Sequence, residues 1–267
     1  MKKYNLLFLL LWLFSLNPVF AQQKPETSGG YLYKTHTKDN QTLNYRILYP
    51  LDFDESKTYP LVVFLHGAGE RGNDNEAQLI HGSKLFLDSL EKYPAVVIFP
   101  QCPKTDYWAN LYRPEEGGRE RNFTFYTDKA PNPALALVMD LMDVMIEKDY
   151  IDEDRVYVTG LSMGGMGVFE LLWRMPEKIA AALPICGGGP SEKAPEMIDV
   201  PLWIFHGFKD DVVHPRYSIM MMKAVQEAGG KAKISLYPEA NHNSWDPAFA
   251  EPKFLSWMFS KRRKSSN

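Results

Sequence analysis

Three observations predict an α/β fold, a mostly parallel twisted sheet with an N-terminal antiparallel hairpin and helices on both faces. Apolar runs at 61–65, 95–99, 156–159 and 202–205 read as strands buried on both sides. Helical periodicity appears at 76–90, 133–148, 163–174 and 215–228. Strand and helix alternate along the chain, the pattern of a parallel sheet built from crossover units.

The composition fits one globular domain. The chain has 267 residues, 45% of them hydrophobic and 24% charged. A formal net charge of -3 gives no overall basic field to attract nucleic acid. The basic cluster Lys261, Arg262, Arg263 and Lys264 reads as a solvated tail. Lys2 and Lys3 precede an apolar run at 6–16, and Val19 and Ala21 supply small residues before a cleavage point. This predicts a signal peptide over 1–21 and a secreted protein, periplasmic or extracellular, with one catalytic domain over 22–267. The apolar run is short for a membrane span, so no stable membrane insertion is expected after cleavage. Cys102 and Cys186 each follow a strand-like run, and two buried free thiols are expected rather than a disulfide.

Taken in order, 22–30 is a polar leader. Segments 31–37 and 43–49 alternate apolar and polar residues around Asp39 and Asn40, which predicts a hairpin. Pro60 introduces the buried strand 61–65, which ends in His66, Gly67, Ala68 and Gly69. A helix is expected over 76–90 and a strand over 95–99. Segment 101–133 carries Pro103, Pro114, Pro131 and Pro133 with Tyr107, Trp108, Tyr112, Phe123, Phe125 and Tyr126. A long irregular stretch of this kind reads as a lid or substrate loop. Its aromatics either form a platform for a flat or sugar-like ligand or pin the loop to the surface. Met139, Met142 and Met145 fall on the apolar stripe of the helix 133–148 and read as core. Strands at 179–185, 202–205 and 233–237 follow, then a closing helix over 248–260.

The strand at 156–159 runs into Gly160, Leu161, Ser162, Met163 and Gly164, followed by a helical pattern. Gly-x-Ser-x-Gly in a strand-turn-helix context is a nucleophile elbow. A serine hydroxyl needs a base, and the base needs an orienting acid. In elbow folds these follow in the order serine, acid, histidine. His242, after the last expected strand, is the predicted base, with His214 as the fallback; His206 precedes the best acid. Asp210 is the predicted acid, with Asp211 in reserve. The oxyanion hole is assigned to the N–H groups of Met163 and Ala68. Glu70 and Arg71 are expected to brace that loop as an ion pair, or else to recognise substrate.

The stretches HGAGERGNDN (66–75), GLSMGG (160–165), PICGGG (184–189), HGFKDDVV (206–213) and HNSW (242–245) together resemble the α/β-hydrolase superfamily. More narrowly they resemble secreted bacterial carboxylesterases of the dienelactone-hydrolase, polyhydroxybutyrate-depolymerase and feruloyl-esterase group, with prolyl-oligopeptidase-like relatives. The resemblance places nucleophile, acid and base at Ser162, Asp210 and His242 and implies that Trp108 and Trp245 line the site. His214 departs from the pattern, since a proline is expected there and comes one place later as Pro215.

The expected activity is hydrolysis of carboxylic esters through an acyl-enzyme, on acetyl or feruloyl esters of carbohydrates, whether small molecules or polysaccharides. No cofactor and no metal is expected. Activity should fall as pH drops through the histidine range, near roughly 6.5. The alternatives are a serine peptidase of the prolyl-oligopeptidase-like kind and a catalytically silent binding protein on the same scaffold.

Overall fold

The computed structural model describes residues 27–28, 30–113 and 122–263. The expected signal peptide lies outside them. In chain order the strands are β1 Thr27–Ser28, β2 Tyr31–Lys38, β3 Gln41–Leu48, β4 Tyr59–Leu65, β5 Val96–Pro100, β6 Leu111–Tyr112, β7 Thr124–Phe125, β8 Ile151–Leu161, β9 Ala181–Ile185, β10 Leu202–Gly207 and β11 Ala232–Tyr237. The helices are α1 Ser83–Ser89, α2 Pro133–Ile146, α3 Met163–Arg174, α4 Arg216–Glu227, α5 Trp245–Phe249 and α6 Phe254–Phe259. Nine strands form one sheet in the order β1-β2-β3-β5-β4-β8-β9-β10-β11, and β6 and β7 form a separate ribbon. Strands β5, β4, β8, β9, β10 and β11 are mutually parallel, and the β1–β3 edge is antiparallel. This is the mostly parallel sheet with an antiparallel N-terminal edge expected from the pattern, and the α/β-hydrolase architecture that the resemblance implies.

Local chemistry explains the elements. Asp39 (φ 48°) and Asn40 (φ 61°) both take left-handed backbone between β2 and β3, the two-residue turn whose twist matches a hairpin. Every residue of β4, β5, β9 and β10 is buried, as the continuous apolar runs require. One apolar layer packs α2, α3 and α4 on one face of the sheet, including Met142, Met145, Val168, Met221 and Val225. The other packs α1, α5 and α6 through Phe86, Ala248, Phe254 and Met258. Both cysteines are buried and free.

Two expected helices are shorter than their periodicity suggests. The 76–90 stretch divides into a 3-10 turn, Ala77–Leu79, and α1, because Gly82 between them takes φ 81°. The closing helix divides into α5 and α6 around Pro252, whose missing N–H and ring cannot continue a helix.

Candidate active site

The parallel strands bring the site together. β4 leads to Ala68, β8 to Ser162, β10 to Asp210 and β11 to His242, all at the carboxyl ends of parallel strands in one sheet. At the elbow Ser162 has φ 54° and ψ -116°, a strained backbone that lifts its side chain off the sheet. The strain is tolerated because the backbones on either side fit only without side chains. A Cβ at Gly164 would lie 1.9 Å from the Leu65 carbonyl oxygen, and one at Gly160 would lie 2.6 Å from the same atom.

Ser162 Oγ lies 2.9 Å from His242 Nε2, and His242 Nδ1 lies 2.8 Å from Asp210 Oδ2. Donor logic fixes the tautomer. Nδ1–H donates to the carboxylate, which leaves the Nε2 lone pair to accept the serine proton. Asp210 is buried, and its Oδ1 accepts the Val212 and Val213 N–H groups at 2.9 Å each. Burial acts to raise its pKa. The hydrogen bonds from His206 and His242, the charge of His242 and the Val213 amide outweigh burial and hold the carboxyl well below the usual carboxylate range.

Met163 opens α3, so its N–H has no intrahelical acceptor and stands at the positive end of the helix. Ala68 begins a 3-10 turn just past β4 and lines the cleft over Ser162. This cleft has a volume of about 300 Å³. Its lining includes Glu70, His81 and Trp245, which lie against one another, and Arg113 with Tyr107, Phe123, Val212 and Val213, the last four from one apolar cluster.

Residues 108–254, more than half of the chain, match the model of the dienelactone hydrolase family. The chain belongs to that family. The match spans the elbow, Asp210 and His242. A solved thermostable esterase superposes with a TM-score of 0.77 at 33% identity, over 88% of this chain and 64% of that one. An acyl-protein thioesterase 1 homolog of Dictyostelium discoideum is 26% identical over 64% of this chain and 78% of its own length. A bifunctional acetylxylan esterase/xylanase of Neocallimastix patriciarum is 35% identical over 77 residues, 29% of this chain and 12% of that protein. The protein is thus a hydrolase of the dienelactone hydrolase family, and it spans less than two thirds of two of these three relatives.

Several residues of this family member do not stand where sequence reasoning put them. Trp108 does not line the cleft. It is fully buried, donates from Nε1 to the His66 carbonyl at 3.1 Å and covers α3 at Gly167, where a Cβ would come within 2.6 Å of the tryptophan Cβ. Arg71 does not pair with Glu70. It donates to the carbonyls of Ala68, Lys104 and Asp106, and Glu70 instead faces His81 at 3.9 Å. Asp211 is exposed and donates its N–H to Asn241. His214 Nδ1 accepts the Arg216 N–H at the start of α4. Of the aromatics in 101–133, Tyr107 and Phe123 reach the cleft, whereas Phe125 packs edge-on against Tyr217.

His206 was passed over as lying before the acid, yet it is part of the acid's setting. Its buried Nε2 faces two acceptors, the Val213 carbonyl at 2.8 Å and Asp210 Oδ2 at 3.2 Å, so that nitrogen carries a proton. The available signal was a polar residue ending a buried apolar run four places before Asp210, because such a group needs a partner. Cys186, Asp210 and His242 place potential metal-ligand atoms within 4.8 Å of one another. Burial pushes the Cys186 thiol pKa up, and His242 Nδ1 spends its proton on Asp210, so the set is not arranged as a ligand trio.

Proposed function

We propose that the protein is an exported serine carboxylesterase with a single catalytic domain, acting on acetyl or feruloyl esters of carbohydrates. The observation that carries this reading is the unbroken hydrogen-bonded chain Ser162–His242–Asp210 under an open cleft. His242 takes the Ser162 proton as Oγ attacks the acyl carbon. The N–H groups of Met163 and Ala68 stabilise the tetrahedral oxyanion. His242 returns the proton to the leaving alcohol, and water repeats the sequence to release the acid. All groups required by this route come from the chain, and no cofactor or metal enters a step. Export is supported by the sequence pattern of residues 1–21. The carbohydrate preference is supported by the acetylxylan esterase similarity and by the aromatic walls of the cleft.

The test is a panel of aryl acetates, aryl ferulates, a thioester and chromogenic peptide amides, run with wild type and Ser162→Ala. Turnover of the oxygen esters and its loss by about 10⁴-fold or more in Ser162→Ala is expected. Preferential cleavage of the amides would establish the peptidase alternative. A folded wild type with no turnover and no labelling by a fluorophosphonate would mark a silent scaffold.

A further inference from the structure

The leaving alcohol has one place to sit. The nitrogen that takes the serine proton must deliver it to the alkoxide oxygen as the ester breaks, so that oxygen passes beside His242 Nε2. The wall that begins at His242 is therefore the alcohol side. Trp245 packs edge-on against the His242 ring, with centroids 5.6 Å apart. His81 leans on Trp245, with centroids 5.0 Å apart at 44°. His81 Nε2 lies 3.9 Å from Glu70 Oε1, and all four residues line the cleft over Ser162.

That separation is the informative quantity. It is too long for a direct hydrogen bond, and a single oxygen between the two groups reaches both at ordinary hydrogen-bond length. Among the described residues neither the Glu70 carboxylate nor the His81 ring makes a hydrogen bond, though the Glu70 side chain is only 12% exposed. Phe123, Val212 and Val213, which also line the cleft, belong to one apolar cluster and offer surface suited to an acyl group.

We propose that Trp245, His81 and Glu70 form a subsite for the leaving group and that it takes a polyhydroxylated ring alcohol, a pyranoside. A sugar presents C–H groups to an aromatic surface and hydroxyls at its edge, and each hydroxyl both donates and accepts. One hydroxyl bridging Glu70 and His81 satisfies two polar groups that a plain alkyl alcohol would cover without partners. This inference rests on the serine-esterase reading and adds the residues that hold the sugar and the ring form they select.

The experiment compares kcat/KM for 4-nitrophenyl acetate and for an O-acetylated methyl xylopyranoside, using wild type, His81→Ala and Glu70→Gln, each checked for folding by thermal denaturation. The ratio of sugar-ester to aryl-ester kcat/KM is expected to fall about tenfold in each variant, mainly through KM for the sugar ester. An unchanged ratio, including equal losses on both substrates, overturns the subsite. A wild type that hydrolyses the aryl ester but not the sugar ester also overturns it and leaves the esterase reading standing. No turnover of either ester overturns the esterase reading itself.

Discussion

At the elbow the backbone of α3 lies against the end of β4 with no side chain between them, whereas the described rim residues, 101–113 and 122–133, are held in place by side chains, Glu170 and Arg174 of the same helix among them. Gly164 meets the Leu65 carbonyl directly, and Gly165 meets the Ile185 carbonyl in the same way. On the rim, the buried Glu170 carboxylate on α3 accepts the Asn110 N–H at 2.6 Å and the Asn110 side-chain amide at 3.1 Å. Arg174, paired with Glu170, donates to the Lys129 carbonyl. Asn132 donates to the carbonyls of Tyr107 and Ala109, and Tyr217 accepts the Phe123 N–H. The first construction fixes the backbone that carries Ser162. The second places two cleft-lining aromatics, Tyr107 and Phe123, through bonds that can be removed singly.

The largest way to break the comparison is at the backbone crossing. Gly164→Ala puts a methyl group 1.9 Å from a carbonyl oxygen, and neither partner is a flexible side-chain end. The helix must back away from β4. We expect a loss of about 3 kcal/mol or more in urea denaturation and a fall in ester turnover of over 100-fold. An unchanged midpoint would show that the crossing has room to give, and the contrast between the two regions would fail.

The same contrast explains what was legible in the sequence. Close backbone approach admits only glycine, so the elbow is written in residue types at fixed spacing, and Ser162 follows from it. Asp210 and His242 follow from the order of the strands that carry them. The rim gave no such pattern. Asn110, Glu170 and Tyr217 are far apart in the chain, and any polar residue type is equally at home on a solvated surface. Trp108 was misplaced for a related reason. The family resemblance implied a site-lining tryptophan there, and its burial on Gly167 is a tertiary fact that motif matching does not carry. His206 precedes the acid in the chain, so the serine–acid–histidine order sets it aside, and its contact with Asp210 shows only in the fold.

A second prediction concerns the joint between the two regions. His66 ends the β4 run, its carbonyl accepts Trp108 Nε1, and its Nε2 accepts the Cys102 N–H at 2.9 Å. Its Nδ1–H donates to the Gly67 carbonyl at 2.6 Å, so the ring is neutral with both nitrogens occupied. Burial is the main cause that lowers its pKa to about 4. An unfolded chain takes up that proton near roughly 6.5. The stability from this group is full above the unfolded value and is lost as pH falls from there through the folded pKa. The expected loss is up to about 3 kcal/mol by pH ~4. The contribution of Asp210, whose carboxyl is also held low, is present above the usual carboxylate range of ~3.9 and is lost only as pH falls further. Urea titrations between pH 7 and pH 4 should therefore show a slope that His66→Gln flattens. An identical slope in the variant would place the acid sensitivity elsewhere.

The smallest expected effect sharpens the comparison most, because it should separate binding from chemistry. Glu170→Gln keeps the shape of the side chain but replaces one acceptor oxygen by an NH₂ group among the donors of Asn110 and Arg174. The expected cost is about 1–2 kcal/mol, well below that of Gly164→Ala, because Asn132, Tyr217 and Arg71 still hold the segment. The elbow and the Ser162–His242–Asp210 chain do not touch this carboxylate, so kcat for an aryl ester should stay within a few-fold. Tyr107 and Phe123 ride on the loosened segment, so KM should rise several-fold. Hydrogen exchange should quicken at 107–113 and 122–130 but not at 156–167. If kcat falls as far as kcat/KM and exchange quickens at both regions alike, the rim and the elbow form one cooperative unit. The distinction between backbone-built and side-chain-built parts would then describe their appearance and not their energetics.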